Sequence, residues 1–195
     1  YWQKEVNYKE LYKALYKQAS NIQSTELRHK MSLYDLFTDD ELYDLWATTN
    51  AWWYINYGPS RLSGGKQPTS QRFLLRKIIH EADSCLKLNH PGATLRYGHD
   101  TMVMPLTCLL NLDDTGMQVS DLEQVAMRGW NDYRIFPMAC NLQFVFYRKQ
   151  GSDDILVKIL RNENEAKLPV KSDVAPYYHW KDVRAYCERV ASSQS

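Results

Sequence analysis

The sequence has 195 residues, the length of one ordinary domain or one and a half. It is 44% hydrophobic and 24% charged with a formal net charge of +1, which excludes a disordered, collagenous or low-complexity chain. The near-zero charge also argues against nucleic-acid partners, which call for a basic excess, and no apolar run approaches the about 18 residues of a membrane span. Aromatic residues make up 13%, enough to fill a sizeable core.

In chain order, Val6, Leu11, Ala14, Leu15 and Ala19 have helical spacing, with lysines between them, over residues 3–20. Thr38 and Glu41 form a T-x-x-E capping box. It predicts a helix with Leu42, Leu45, Trp46 and Thr49 on one face, ending near Gly58-Pro59. Trp46, Trp52, Trp53 and Tyr54 read as core packing. Residues 60–69 read as a Gly/Pro/Ser loop; Gly64-Gly65-Lys66 lacks the spacing of a phosphate loop. A second helix starts near Ser70, with Phe73, Leu74, Ile78, Ala82 and Cys85 on its apolar face, and closes near Asn89-His90-Pro91.

Ala93 to Tyr97 is a β-prone run after Pro-Gly and predicts a buried strand, ended by Gly98-His99-Asp100. A helix with Met102, Leu106, Leu109 and Leu110 follows at once, and this alternation is the mark of an α/β layer. Ser120 and Glu123 predict a helix over about 121–131. Residues 142–148 and 155–160 read as two strands joined by a Gly151-Ser152-Asp153 hairpin, followed by a turn and a short Lys167–Val170 segment. A last helix spans about 179–191, with Trp180, Val183, Tyr186 and Cys187 on one side, and the serine tail should fray.

The four cysteines, at 85, 108, 140 and 187, are not in C-x-x-C spacing and read as free, mostly buried thiols. There is no H-E-x-x-H pattern, so neither a metal site nor a cofactor is expected. Among the histidines, His29 and His80 read as surface residues, and His90 and His179 as helix-end residues. His99 differs in its setting. In open α/β sheets ligands bind beyond the carboxyl ends of strands, and the start of the following helix presents free N–H groups to an anion. A histidine beside an aspartate at that point offers a phosphate contact and a proton donor together.

The run Leu95-Arg96-Tyr97-Gly98-His99-Asp100-Thr101, with Met104-Pro105-Leu106 behind it, resembles the second signature of the histidine acid phosphatases. This is branch 2 of the histidine phosphatase superfamily, with phytases and multiple inositol polyphosphate phosphatases. Residues 137–144 resemble that family's later core strand, 157–163 with Leu168-Pro169 the next hairpin, and 180–187 its closing helix. The resemblance implies an α/β fold: the second part of a three-layer core sheet with flanking helices over residues 63–195, and helices of the inserted α cap over 1–62. It implies a phosphomonoester substrate, released inorganic phosphate and a phosphohistidine intermediate. His99 would contact the phosphate and Asp100 would protonate the leaving oxygen. Thr101 is the next residue of the motif; Arg61, Lys66, Arg72 and Arg76 read as a solvated charged face, with contact to a polyphosphorylated substrate as the alternative. A carboxyl beside a phosphate dianion holds its proton more readily, so an acidic pH optimum is expected.

The family's R-H-G-x-R-x-P nucleophile motif is absent; Arg28-His29 is followed by Lys30-Met31-Ser32. The expectation is therefore a C-terminal part whose N-terminal partner carries the nucleophile, inactive alone. His-Asp-Thr resembles bacterial acid phosphatases and phytases, whereas the inositol polyphosphate branch usually has His-Ala-Glu. By analogy with the family, the protein would lie outside the cytoplasm, periplasmic or secreted. Two rival readings are a non-catalytic anion-binding module on the same fold, and an enzyme using His99 itself as nucleophile with Arg96 nearby.

Overall fold

The computed structural model describes residues 7–193; Val6 and the start of the first expected helix, like Gln194 and Ser195 of the tail, lie outside the described residues. The described residues form two compact units, one ending at Asn50 and one beginning at Ala51. No helix is long and apolar enough to cross a membrane among them.

In the first unit, α1 (Tyr8–Ile22) is capped by the Asn7 side chain, which accepts from Glu10 N at 3.2 Å. Tyr12 and Tyr16 stack edge-on against Phe37. Helix α2 (Asp39–Asn56) starts on the expected capping box: Glu41 N donates to Thr38 Oγ1 at 3.3 Å, and Thr38 N donates to Glu41 Oε2 at 2.8 Å. These bonds hold the Glu41 carboxyl below its ordinary range. The unit boundary falls within α2.

The second unit contains α3 (Lys66–Ser70), α4 (Arg72–Cys85), α5 (Asp100–Leu109), α6 (Asp132–Ile135) and α7 (Trp180–Ser192). Its strands are β1 (Leu142–Arg148), β2 (Ile155–Arg161), β3 (Asn164–Glu165) and β4 (Tyr178–His179). The sheet is antiparallel. β1 pairs with β2, and β3 and β4 both pair with β2. The register sets Phe144 opposite Ile159 and Phe146 opposite Val157, so one face of the hairpin is a continuous apolar surface.

That face meets Leu75 and Ile79 of α4, Leu106 and Leu110 at α5, and Trp180, Val183 and Tyr186 of α7 in one core. Trp180 Nε1 and Arg184 Nε donate to the two oxygens of Asp83 at 3.1 and 2.8 Å, fixing α7 on α4. Tyr186 OH donates to Leu110 O at 2.9 Å, so its buried hydroxyl is satisfied. A second core holds Tyr54, Met104, Cys108, Val125, Trp130 and Ile135. Trp130 Nε1 donates to Thr115 O at 3.1 Å. Gly58 lies under this tryptophan, where an added Cβ would come 2.6 Å from Tyr54 O. Burial leaves the thiols of Cys108 and Cys187 neutral, each pushed up to about 12. All four cysteines are free.

Four sequence expectations change. Residues 93–97 form no strand and are exposed, Leu95 by 70% and Tyr97 by 92%. β-propensity describes a fit to a pleated, half-buried surface, and no strand pairs with this run among the described residues. The helix expected over 121–131 is a short 3₁₀ turn, Leu122–Gln124, capped by Asp121 rather than Ser120. The chain then turns at Gly129 (φ 92°) to bury Trp130. Residues 60–69 are more ordered than a loop: a 3₁₀ turn, Arg61–Ser63, leads through left-handed Gly64 and Gly65 into α3. In α4 the most buried residues are Leu75 and Ile79, while Phe73 and Cys85 are exposed.

The Leu110 side chain is wholly buried against the hairpin face. Leu110→Ala is expected to lower the unfolding free energy by about 2–5 kcal/mol in urea titrations. A loss below about 1 kcal/mol would contradict its place in the core.

Candidate active site

Helix α5 is apolar on two sides. Leu106 and Leu110 face the hairpin core, while Met104 and Cys108, on the neighbouring i, i+4 row, face the second core. Residues 104–108 are consequently all buried, and only the amino end of the helix is open. Pro105 removes the N–H that would reach the Thr101 carbonyl, so the first turn is freed from the regular ladder at that point.

His99 is the N-cap, with extended backbone (φ −109°, ψ 164°). Its carbonyl accepts from Met102 N at 2.9 Å and Val103 N at 3.3 Å, and its ring makes no capping bond. Asp100 is the first helical residue, and its Oδ1 accepts from Thr101 N at 2.7 Å. A carboxylate in the first turn is favoured by the helix dipole. His99 and Asp100 are exposed and Thr101 is half-buried. The three form one contiguous group at a helix start.

The segment leading to them is anchored on alternate residues. Thr94 Oγ1 lies 3.5 Å from Cys85 Sγ, and Arg96 pairs with Glu81, so these two side chains meet α4. Leu95 and Tyr97 are exposed to solvent. Arg96 is thus engaged in an ion pair with α4.

Cys140 was not singled out from the sequence as a site residue. It closes a turn, donating from its N–H to Pro137 O at 3.0 Å, with Ala139 in the left-handed region (φ 59°). Burial raises its thiol above the usual range, and the Asp100 charge raises it further. The only sequence signal was its position in the 137–144 run. The same end of the sheet is tied by Asn162, which bonds Asn141 N at 3.1 Å and the carbonyls of Arg134 and Ile135 at 3.2 Å. There Arg161 pairs with Asp113 at 3.0 Å, and its Nη1 is buried without a hydrogen-bond partner among the described residues.

Arg61 and Lys66 are exposed, and neither bonds to His99 or Asp100 among the described residues. Lys66 opens α3, which packs along α5. Arg76 is exposed, whereas Arg72 Nε is buried without a hydrogen-bond partner among the described residues. His29 meets Arg28 Nε at 3.1 Å, His80 is exposed, and His90 Nδ1 lies 3.1 Å from Pro91 O. Among the described residues no group of three or more His, Cys, Asp or Glu is placed to hold a metal ion.

Residues 2–162 match the family model of the histidine phosphatase superfamily (branch 2). No curated protein matches the sequence. Among solved structures, the fold is similar to that of a multiple inositol polyphosphate phosphatase from Bifidobacterium longum. Its complex with phosphate aligns at a TM-score of 0.73 and 21% identity, over 92% of this chain and 39% of that one. Its complex with inositol hexasulfate aligns at 0.68 and 22%, over 80% and 34%. Its apo form aligns at 0.67 and 22%, over 79% and 34%. The chain therefore spans little more than a third of the length of these structures.

Because the Asp100 carboxylate disfavours the Cys140 thiolate, Asp100→Asn is expected to speed alkylation of Cys140 by iodoacetamide at fixed mildly alkaline pH, read by peptide mass spectrometry. Alkylation of exposed Cys85 should not change. An unchanged rate at Cys140 would mean that the two groups do not face each other.

Proposed function

The chain belongs to the histidine phosphatase superfamily, branch 2, and on that premise we propose that it is the C-terminal part of a phosphatase acting on phosphomonoesters. The observation that carries the reading is the His99-Asp100 pair, exposed at the one open end of an otherwise buried helix. In this reading His99 contacts the phosphate, and Asp100 gives its proton to the leaving oxygen, with Thr101 beside them. An alkoxide is a poor leaving group, so a placed acid lowers the barrier substantially.

The nucleophilic histidine and phosphate-holding arginines would come from polypeptide outside these 195 residues, since no R-H-G-x-R-x-P run occurs in them. Water would then hydrolyse the phosphohistidine. The length of the solved relatives supports this division. Exposed Leu95 and Tyr97 support it too: they are the apolar residues that an N-terminal core segment would cover. Residues 1–62 would serve as cap and 63–195 as core.

For the substrate we favour inositol polyphosphates, because a structural relative binds inositol hexasulfate and another of its crystals holds phosphate. Arg61 and Lys66 would meet peripheral phosphates of such a ligand. The enzyme would be of the acid phosphatase or phytase type and would work outside the cytoplasm, as the family resemblance implies.

In the complete enzyme, Asp100→Asn is expected to lower kcat on inositol hexakisphosphate by about 10²–10⁴. The loss on p-nitrophenyl phosphate should be smaller, because p-nitrophenolate leaves with little need of a proton. Equal losses on both substrates, measured by phosphate release, would give Asp100 a binding role and overturn the assignment as proton donor.

A further inference from the structure

His179 lies at the other end of β2 from Arg161. It belongs to β4, opposite Leu156 of β2, and is also the N-cap of α7. Its ring is bracketed by two carboxylates. Nδ1 lies 3.0 and 2.9 Å from the two oxygens of Asp154, immediately before β2. Nε2 lies 3.0 Å from Asp173 Oδ1, in the segment that leads to β4.

This geometry sets a condition on the ring. A neutral imidazole has one N–H, so it can donate to one carboxylate only and must turn a lone pair on the other. Both contacts are favourable only for the imidazolium, which donates from both nitrogens. We propose that His179 is an acid-closed clasp whose imidazolium ties residues 171–177 to the start of β2 and lets them loosen when it loses a proton.

Asp154 and Asp173 are the charged partners of the ring among the described residues. On β2, Lys158 is engaged elsewhere, with Glu165 at 2.7 Å and over the Tyr177 ring at 4.6 Å. Asp153 precedes Asp154 in the turn, and Lys181 and Asp182 follow His179 in the first turn of α7. The hydrogen bonds, chiefly to Asp154, hold the ring's proton affinity above the ordinary histidine value despite an opposing effect of burial. A raised folded value means that the contribution is complete below the unfolded value of about 6.5 and fades as pH rises through the folded one.

Asp154 grips with both oxygens, Asp173 with one, and Asp173 is the more exposed, 81% against 48% for their side chains. The Asp173 contact is therefore the one that opens. Within the segment Val174 N donates to Ser172 Oγ at 3.1 Å and Tyr177 N to Val174 O at 3.0 Å, the amide bonds that open more often once it loosens, while Tyr177 still packs against Tyr147. Loss of the proton thus loosens residues 171–177 and leaves the hairpin core in place.

The test is an NMR titration of the His179 ring nitrogens, with amide hydrogen exchange of Val174 and Tyr177 followed as protection factors from pH 5 to 8.5. Amides of Val157 and Ile159 in the hairpin serve as the control. Protection at 174 and 177 should fall relative to the control as the ring deprotonates, by at most about tenfold per pH unit, the limit for one linked proton. His179→Gln should remove that dependence. Asp173→Asn, at an exposed position, should keep the fold and move the ring's titration to lower pH. A ring that titrates at the ordinary value in the parent protein, or protection that does not follow its titration, would overturn the clasp. Neither result bears on the phosphatase reading, which rests on other residues, His99 and Asp100.

Discussion

The placement of the candidate site depends on how α5 is held. The helix is gripped from two sides, by the hairpin core through Leu106 and Leu110 and by the second core through Met104 and Cys108. Each of these side chains is buried, and burial of each contributes roughly 1.5–3 kcal/mol. A helix clamped along its length can neither slide nor roll, so its amino end is a fixed point. His99 and Asp100 sit on that point by being its cap and its first residue. The hairpin register, the Asp83 bridge to Trp180 and Arg184, and the Asn162 turn matter to function because they hold the surface on which α5 rests.

The side chains of Thr94 and Arg96 meet α4, while those of Leu95 and Tyr97 face solvent. This alternation is that of a strand with one face packed and the other bare. The run has strand chemistry without a strand's hydrogen-bond partner among the described residues. In the proposed reading the missing partner and the nucleophile come from the same upstream part of the polypeptide, so completing the sheet and completing the catalytic group are one event.

Much of the fold was legible in the sequence where a local signal coincided with a tertiary one. Thr38 and Glu41 form their box because the cap is local. Residues 142–148 and 155–161 pair because alternating apolar residues and a Gly-containing turn agree. Trp180, Val183, Tyr186 and Cys187 share a face because helical period and burial agree. The failures have the opposite character. The box at Ser120 was overridden by the need to turn at Gly129 and bury Trp130. Residues 93–97 lacked the neighbour that a strand requires. Of the site, His99, Asp100 and Thr101 were readable as a contiguous motif. The effect of the Asp100 charge on the Cys140 thiol was not, because it depends on the turn before β1, forty residues on.

The most direct measurement is phosphate release from inositol hexakisphosphate and p-nitrophenyl phosphate at acid pH, by this chain alone and by this chain mixed with a polypeptide carrying the R-H-G-x-R-x-P segment. The account predicts no turnover by the chain alone and turnover on mixing. Turnover by the isolated chain would contradict it, because a nucleophile would then reside within these 195 residues.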